Sequence, residues 1–226
     1  MTTAREQRVL EGLKEGARYV WQRRPLRLAV LLAFVVSTLG QAVQYIASAL
    51  SERLYHSSGD GNAGLLTALG IGALISSGTT MAVGDRIPRS RLILGALVMF
   101  AAAMAILPIT SSYFVGQVGY FFAGAAQVQI GVALNTLLQG NVPDEFRGRA
   151  ISFYLLGTLA GIPLGTQVLG SLGDAIGFRL TMALDAGLFV AALSALVAFG
   201  WWRDLDATAG DIADLHRDHV VAHQSR

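Results

Sequence analysis

The stretch LRLAVLLAFVVSTLGQAVQYIASAL, residues 26–50, decides how the rest of the chain is read. It carries one charge, Arg27, and no alternation of apolar and polar positions. At about 1.5 Å of rise per residue, a helix of this length crosses a hydrocarbon layer about 30 Å thick. In lipid only helices and closed barrels satisfy every backbone N–H and C=O, and barrel strands alternate with period two. The run therefore reads as a membrane-spanning helix. Ala47-Ser48-Ala49 at its end looks like a signal-cleavage site, but the apolar run before it exceeds the roughly 7–15 residues of a signal's apolar core.

Five more runs of this kind follow, at 63–83, 92–109, 114–139, 150–172 and 179–202. The expected fold is all-α and integral to the membrane, with six transmembrane helices in a domain spanning 26–202. A cytoplasmic amphipathic helix or linker (1–25) precedes it and a polar cytoplasmic tail (203–226) follows. Composition agrees: 53% of the 226 residues are hydrophobic and 14% charged, against about 25% charged in a soluble domain. These values exclude an ordinary soluble enzyme and a disordered chain. The absence of cysteine excludes a disulfide-stapled secreted domain and thiolate metal sites. No Gly-rich phosphate loop is present, and Lys14 is the one lysine, which excludes ATP-driven transport by this chain alone. No cofactor is expected.

A sequence pI near 9.2 suggests nucleic acid until the basic residues are placed. Fifteen of the 17 lie in the first 27 residues, in the loops after helices two and four, and in the tail; Arg53 and Arg179 lie on the other side. Basic residues accumulate on the cytoplasmic side, so both termini are expected there, in a multi-pass protein of the inner or plasma membrane with no nucleic-acid partner. Within residues 3–24, Val9, Leu10, Leu13, Ala17, Val20 and Trp21 recur at three- and four-residue spacing. Two readings stay open for this segment: a helix lying on the inner leaflet, or a solvated linker helix.

An internal repeat has an offset of 89 residues: Gly84-Asp85-x-Ile87 returns as Gly173-Asp174-x-Ile176, and Phe100-x-Ala102-Ala103 as Phe189-x-Ala191-Ala192. The two copies straddle connections on opposite sides of the membrane, which is the pattern of two inverted three-helix repeats.

Polar residues inside the spans are the functional candidates, because amides in lipid must face other helices or a watered cavity. Helix one carries Gln41, Gln44 and Tyr45 on one face, and helix four carries Gln127, Gln129 and Asn135. They either line a cavity or bond between helices. Asp185 is the one acidic residue well inside a span: a proton-coupling group, or a partner of Arg179, or a group that reaches water at the outer surface. Helix five reads Gly157-x3-Gly161-x3-Gly165 with Pro163 inside, which suits close helix packing or a hinge. His216, His219 and His223 beside Asp211, Asp214 and Asp218 read as a titrating tail, and no metal site is expected. No His/Asp/Glu/Ser constellation lies in the spans, so enzymatic activity is not expected.

Three segments carry a resemblance. They are Glu11-Gly-Leu-Lys-Glu-Gly-Ala-Arg-Tyr-Val20 with Arg23-Arg24-Pro25, Val83-Gly-Asp85-Arg86-Ile-Pro-Arg89, and Val142-Pro-Asp-Glu-Phe-Arg147-Gly-Arg149. Over residues 8–202 the chain resembles the C-terminal six-helix half of a major facilitator superfamily transporter, nearest the multidrug and siderophore-efflux branch. The second segment departs from the family in having Met81 and Pro88 where glycines are usual. The resemblance implies efflux of small amphipathic molecules by alternating access, with the site between this half and a second six-helix half, from another copy or a separate chain. It implies substrate-binding roles for Gln41, Gln44, Gln127 and Asn135. It also implies a gate of Asp85, Arg86, Arg89, Arg147 and Arg149, whose other reading is that they set topology. The alternative for the whole chain is a non-transporting truncated fragment or a small membrane scaffold.

Overall fold

The computed structural model describes residues 14–57, 60–83, 87–142 and 144–206, and every regular element among them is helical. Six helices are long and apolar enough to cross a membrane. They are α1 (Arg24–Tyr45), α2 (Gly61–Val83), α3 (Arg89–Ile106), α4 (Tyr113–Asn141), α5 (Asp144–Ile176) and α6 (Phe178–Ala198). Pro25 sits in the first turn of α1, where its missing N–H costs no hydrogen bond. Pro88 caps α3, and Gly177, at φ 88°, makes the turn between α5 and α6 that a side chain would strain.

The first span differs from the sequence reading, which ran it unbroken to residue 50. Val36–Gln41 is π-helical, the helix ends at Tyr45, and a separate piece follows at Ala47–Arg53. Ser37 Oγ donates to Ala33 O at 2.7 Å and Thr38 Oγ1 to Phe34 O at 2.8 Å. Such back-bonding competes with the helical ladder. Gly40 follows two residues later, where an added Cβ would collide with the Phe100 ring. The glycine thus makes room on α1 for the Phe100 ring of α3.

Lipid tails are as apolar as leucine, so burial alone does not drive these helices together; close packing and interhelical hydrogen bonds do. Two seams illustrate this. On α5, Gly157, Gly161 and Gly165 lie along α1 from Val30 to Thr38. On α2, Gly64, Gly72 and Ser76 lie along α4. Gly72 rests on the Phe121 carbonyl, Gly124 of α4 rests on the Leu69 carbonyl, and Ser76 Oγ donates to Ala125 O at 2.8 Å. Exchanging α1 with α4 and α5 with α2 turns one seam into the other, as inverted repeats require. The repeat-related Phe100 and Phe189 meet edge to face, with centroids 5.2 Å apart.

The two ends of the bundle are built differently. At the arginine-rich end, helical residues 14–22 pack on the start of α5: Tyr19 stacks on Phe146 at 4.4 Å, and Arg149 bonds Glu15 at 3.1 Å. The apolar side of that segment is therefore met by protein at Tyr19 and Val20, while Trp21 stays exposed. At the opposite end, Arg53 pairs with Asp174, and Arg179 donates to Pro108 O and Ser111 Oγ. Tyr55 Oη donates to Leu107 O, and burial pushes its phenol up to about 12, against a smaller lowering effect of Arg179.

Candidate functional site

Gln44 and Gln127 border the same void. With Gly40, Val43, Leu69, Phe100, Met104, Tyr120 and Ala123 they line a small void at the centre of the bundle, where α1, α2, α3 and α4 converge. The α-helix of this span ends at the break at Ile46, and the buried Tyr120 Oη donates to Val43 O at 3.1 Å. Sequence reasoning passed over Tyr120. The available signal was a phenol deep in a span, whose hydroxyl needs a partner there. The void measures about 10 Å³. A single water needs about that much, so this conformation has no room for an organic solute between these four helices.

The other two amides lie elsewhere. Gln41 is half-buried in the π-helical turn and does not line the void. Asn135 is exposed and accepts a hydrogen bond from Gln139 Nε2 at 3.0 Å, on a face of α4 that also shows Thr136. Two other spans also expose polar groups. α5 exposes Gln167 and Ser171, bonded to one another, and α2 exposes Thr67 and Thr79. α2 and α5 are also the least buried spans, at 17% each against 33–50% for the other four. Their open sides carry Leu74, Met81, Leu156 and Leu159 among the polar groups. Gln167 was another residue the sequence reading missed.

Asp185 is placed differently from two of its three expected readings. It is 3% exposed, and its Oδ1 has no hydrogen-bond partner among the described residues. The hydrogen bonds of Arg179 go to the α3–α4 connection instead. The reason is helical geometry. Six residues along a helix turn the chain through about 600°, so Arg179 and Asp185 sit about 120° apart around α6. Asp185 shares the buried face of α6 with Thr181, Met182 and Phe189.

Of the expected gate, Asp85 and Arg86 lie outside the described residues, as do the tail histidines and their aspartates. Arg89 lies over Gly140 at the end of α4, and Arg149 holds Glu15. Arg147 is exposed at the start of α5. Gly157, Gly161 and Gly165 form the α1 seam, and Pro163 stands exposed between the last two.

Comparison with known proteins adds two findings. The family described as transmembrane secretion effector, of the major facilitator type, matches residues 2–222. A similar curated protein is the multidrug efflux pump Tap of Mycolicibacterium fortuitum, 26% identical over 177 residues, which are 76% of this chain and 42% of that protein. The chain thus spans less than half the length of that relative. No solved structure matches the chain.

Proposed function

The chain belongs to the transmembrane secretion effector family of major facilitator transporters, and on that premise we propose that it works as one half of an alternating-access exporter of small amphipathic molecules. Its mate is a second six-helix half, seated on the open side of α2 and α5. The observation that carries this reading is the company kept on that side. Thr67, Thr79, Gln167 and Ser171 stand exposed at membrane depth beside exposed leucines, and polar groups there face protein or a watered cavity rather than lipid. The name of the similar protein, a multidrug efflux pump, supports the efflux direction.

In this proposal cargo moves between the two halves along the polar face of α1, α4 and α5. Gln41 and Asn135 contact it from the open side, while Gln44 and Gln127 contact it when α1 and α4 part. Arg89, Arg147 and Arg149, with Asp85 and Arg86, close the arginine-rich end, which faces the cytoplasm of the cell membrane together with both termini. Exposed ion pairs contribute about 0–1 kcal/mol each, which suits a gate between two states of similar energy. Asp185 supplies an unpaired carboxyl group in an apolar layer, the chemistry needed to take up a proton during the cycle.

The test is flux. Gln44→Leu and Gln127→Leu are each expected to lower efflux of a lipophilic fluorescent dye while leaving membrane insertion and melting temperature unchanged. Unaltered flux in both variants removes these amides from the transport path.

A further inference from the structure

A slot of about 290 Å³ opens between α1 and α6 at the arginine-rich end, with Leu97 of α3 at its back. All twelve residues that line it are apolar, among them Leu28, Leu31 and Val35 of α1 and Leu193, Leu196 and Trp201 at the end of α6. Neither α2 nor α5 contributes to it, so the slot stays open to the bilayer when those two helices are covered.

Its rim is basic. Arg24 and Arg27 stand one turn before Leu28 and Leu31, hence on the same face of α1 as the lining leucines. Arg24 is exposed, 4.0 Å from Asp204, and Arg203 lies over Trp202 beside it. Arg27 is half-buried, and its guanidinium makes no hydrogen bond or ion pair among the described residues, its backbone N–H donating to Arg23 O within the helix. Among the described residues, three guanidinium groups against the one carboxylate of Asp204 leave the mouth of an apolar slot positively charged.

We infer that the slot binds an anionic phospholipid, with an acyl chain along Leu31, Val35 and Leu193 and the headgroup phosphate between Arg24 and Arg27. An apolar tail alone would fill the slot without preference, and a free phosphate would not enter it. The pairing of an apolar slot with an unpartnered guanidinium at its mouth selects a lipid carrying net negative charge.

The experiment uses the full chain in detergent and native mass spectrometry to count retained lipid. Phosphatidylglycerol and phosphatidylcholine with identical acyl chains are compared. The proposal predicts preferential retention of phosphatidylglycerol. Arg24→Gln and Arg27→Gln are each expected to weaken it about fivefold, the effect of one basic residue at a membrane surface, with phosphatidylcholine unaffected. Arg27→Lys should keep the preference, and Ala195→Phe, which fills the slot, should reduce both lipids. Equal retention of the two lipids by the unaltered chain overturns the proposal. So does a preference that survives both glutamine variants, or displacement of the lipid by the transported dye, which would make the slot a cargo site.

Discussion

Both α5 and α2 approach their partners through small residues four apart, yet the two contacts tighten differently along their length. On α5, a Cβ added at Gly157 would lie 3.3 Å from Val30 O, at Gly161 2.8 Å from the Ser37 and Thr38 side chains, and at Gly165 inside the Thr38 carbonyl. The seam is slack toward the arginine-rich end and closed toward the other. It also carries two departures from regular helix, the π-helical turn Val36–Gln41 and Pro163. The α2–α4 seam has neither. Glycines on both helices rest there on carbonyls, and Ser76 bonds across. We propose that the first of these related contacts serves as a hinge and the second as a clamp. Because π-turns and prolines in helices concentrate where backbones change shape, α5 is the helix expected to swing on α1.

The largest expected effect breaks both seams alike. Gly165→Leu and Gly72→Leu place a side chain inside a carbonyl of the facing helix, and overpacking of this kind costs about 1–3 kcal/mol or more. Neither variant should yield folded protein in detergent, as judged by a monodisperse chromatographic peak. Gly157→Ala, at the slack end, should fold normally. If Gly157→Ala fails as badly as Gly165→Leu, the seam has no gradient and the hinge is misplaced.

How much of this was legible beforehand follows from the same residues. Six spans, their order and the α5 glycine stripe stood in the sequence, because length, charge placement and four-residue spacing are local properties. The α2 stripe has the same spacing, Gly64, Ala68, Gly72 and Ser76, but it is disguised by additional glycines at 70 and 78 that face open space. Helix spacing brought Gln41 and Gln44 to one face, yet Gln41 ends a π-helical turn and Gln44 alone of the two lines the void with Gln127. Periodicity cannot anticipate an irregular turn. Gln167 was missed for another reason: its exposure depends on how α5 sits in the bundle, and no pattern within α5 announces it.

The next effect sharpens the comparison. Pro163 has no N–H, so Leu159 O loses its helical partner. Pro163→Ala should restore that bond, raise the melting temperature and slow efflux severalfold. Faster or unaltered flux in a stabilised variant would count against a hinge at this position.

A smaller effect separates the two ends of the bundle. The phenol of Tyr55 is held at about 12, above its ordinary 10.0, because it is buried at the end opposite the arginines. The folded state therefore holds this proton more tightly than the unfolded state does. The associated stability is complete below about pH 10 and is lost as pH rises through about 12. Melting temperature should fall across that window, and Tyr55→Phe should flatten the fall. The smallest effect tests the clamp: Ser76→Ala removes one interhelical hydrogen bond, worth about 0.6 kcal/mol in membranes. Stability should drop by that amount with flux unchanged.

As one half of a transporter, the proposed role of this chain, it carries a second six-helix unit over the side of α2 and α5. The most direct measurement is the mass of the intact complex after gentle extraction from the host membrane into nanodiscs. The account predicts a particle of twice 23.9 kDa, or one containing a second six-helix chain. A single 23.9 kDa chain at every protein concentration, still folded and with lipid against Leu159, would contradict it.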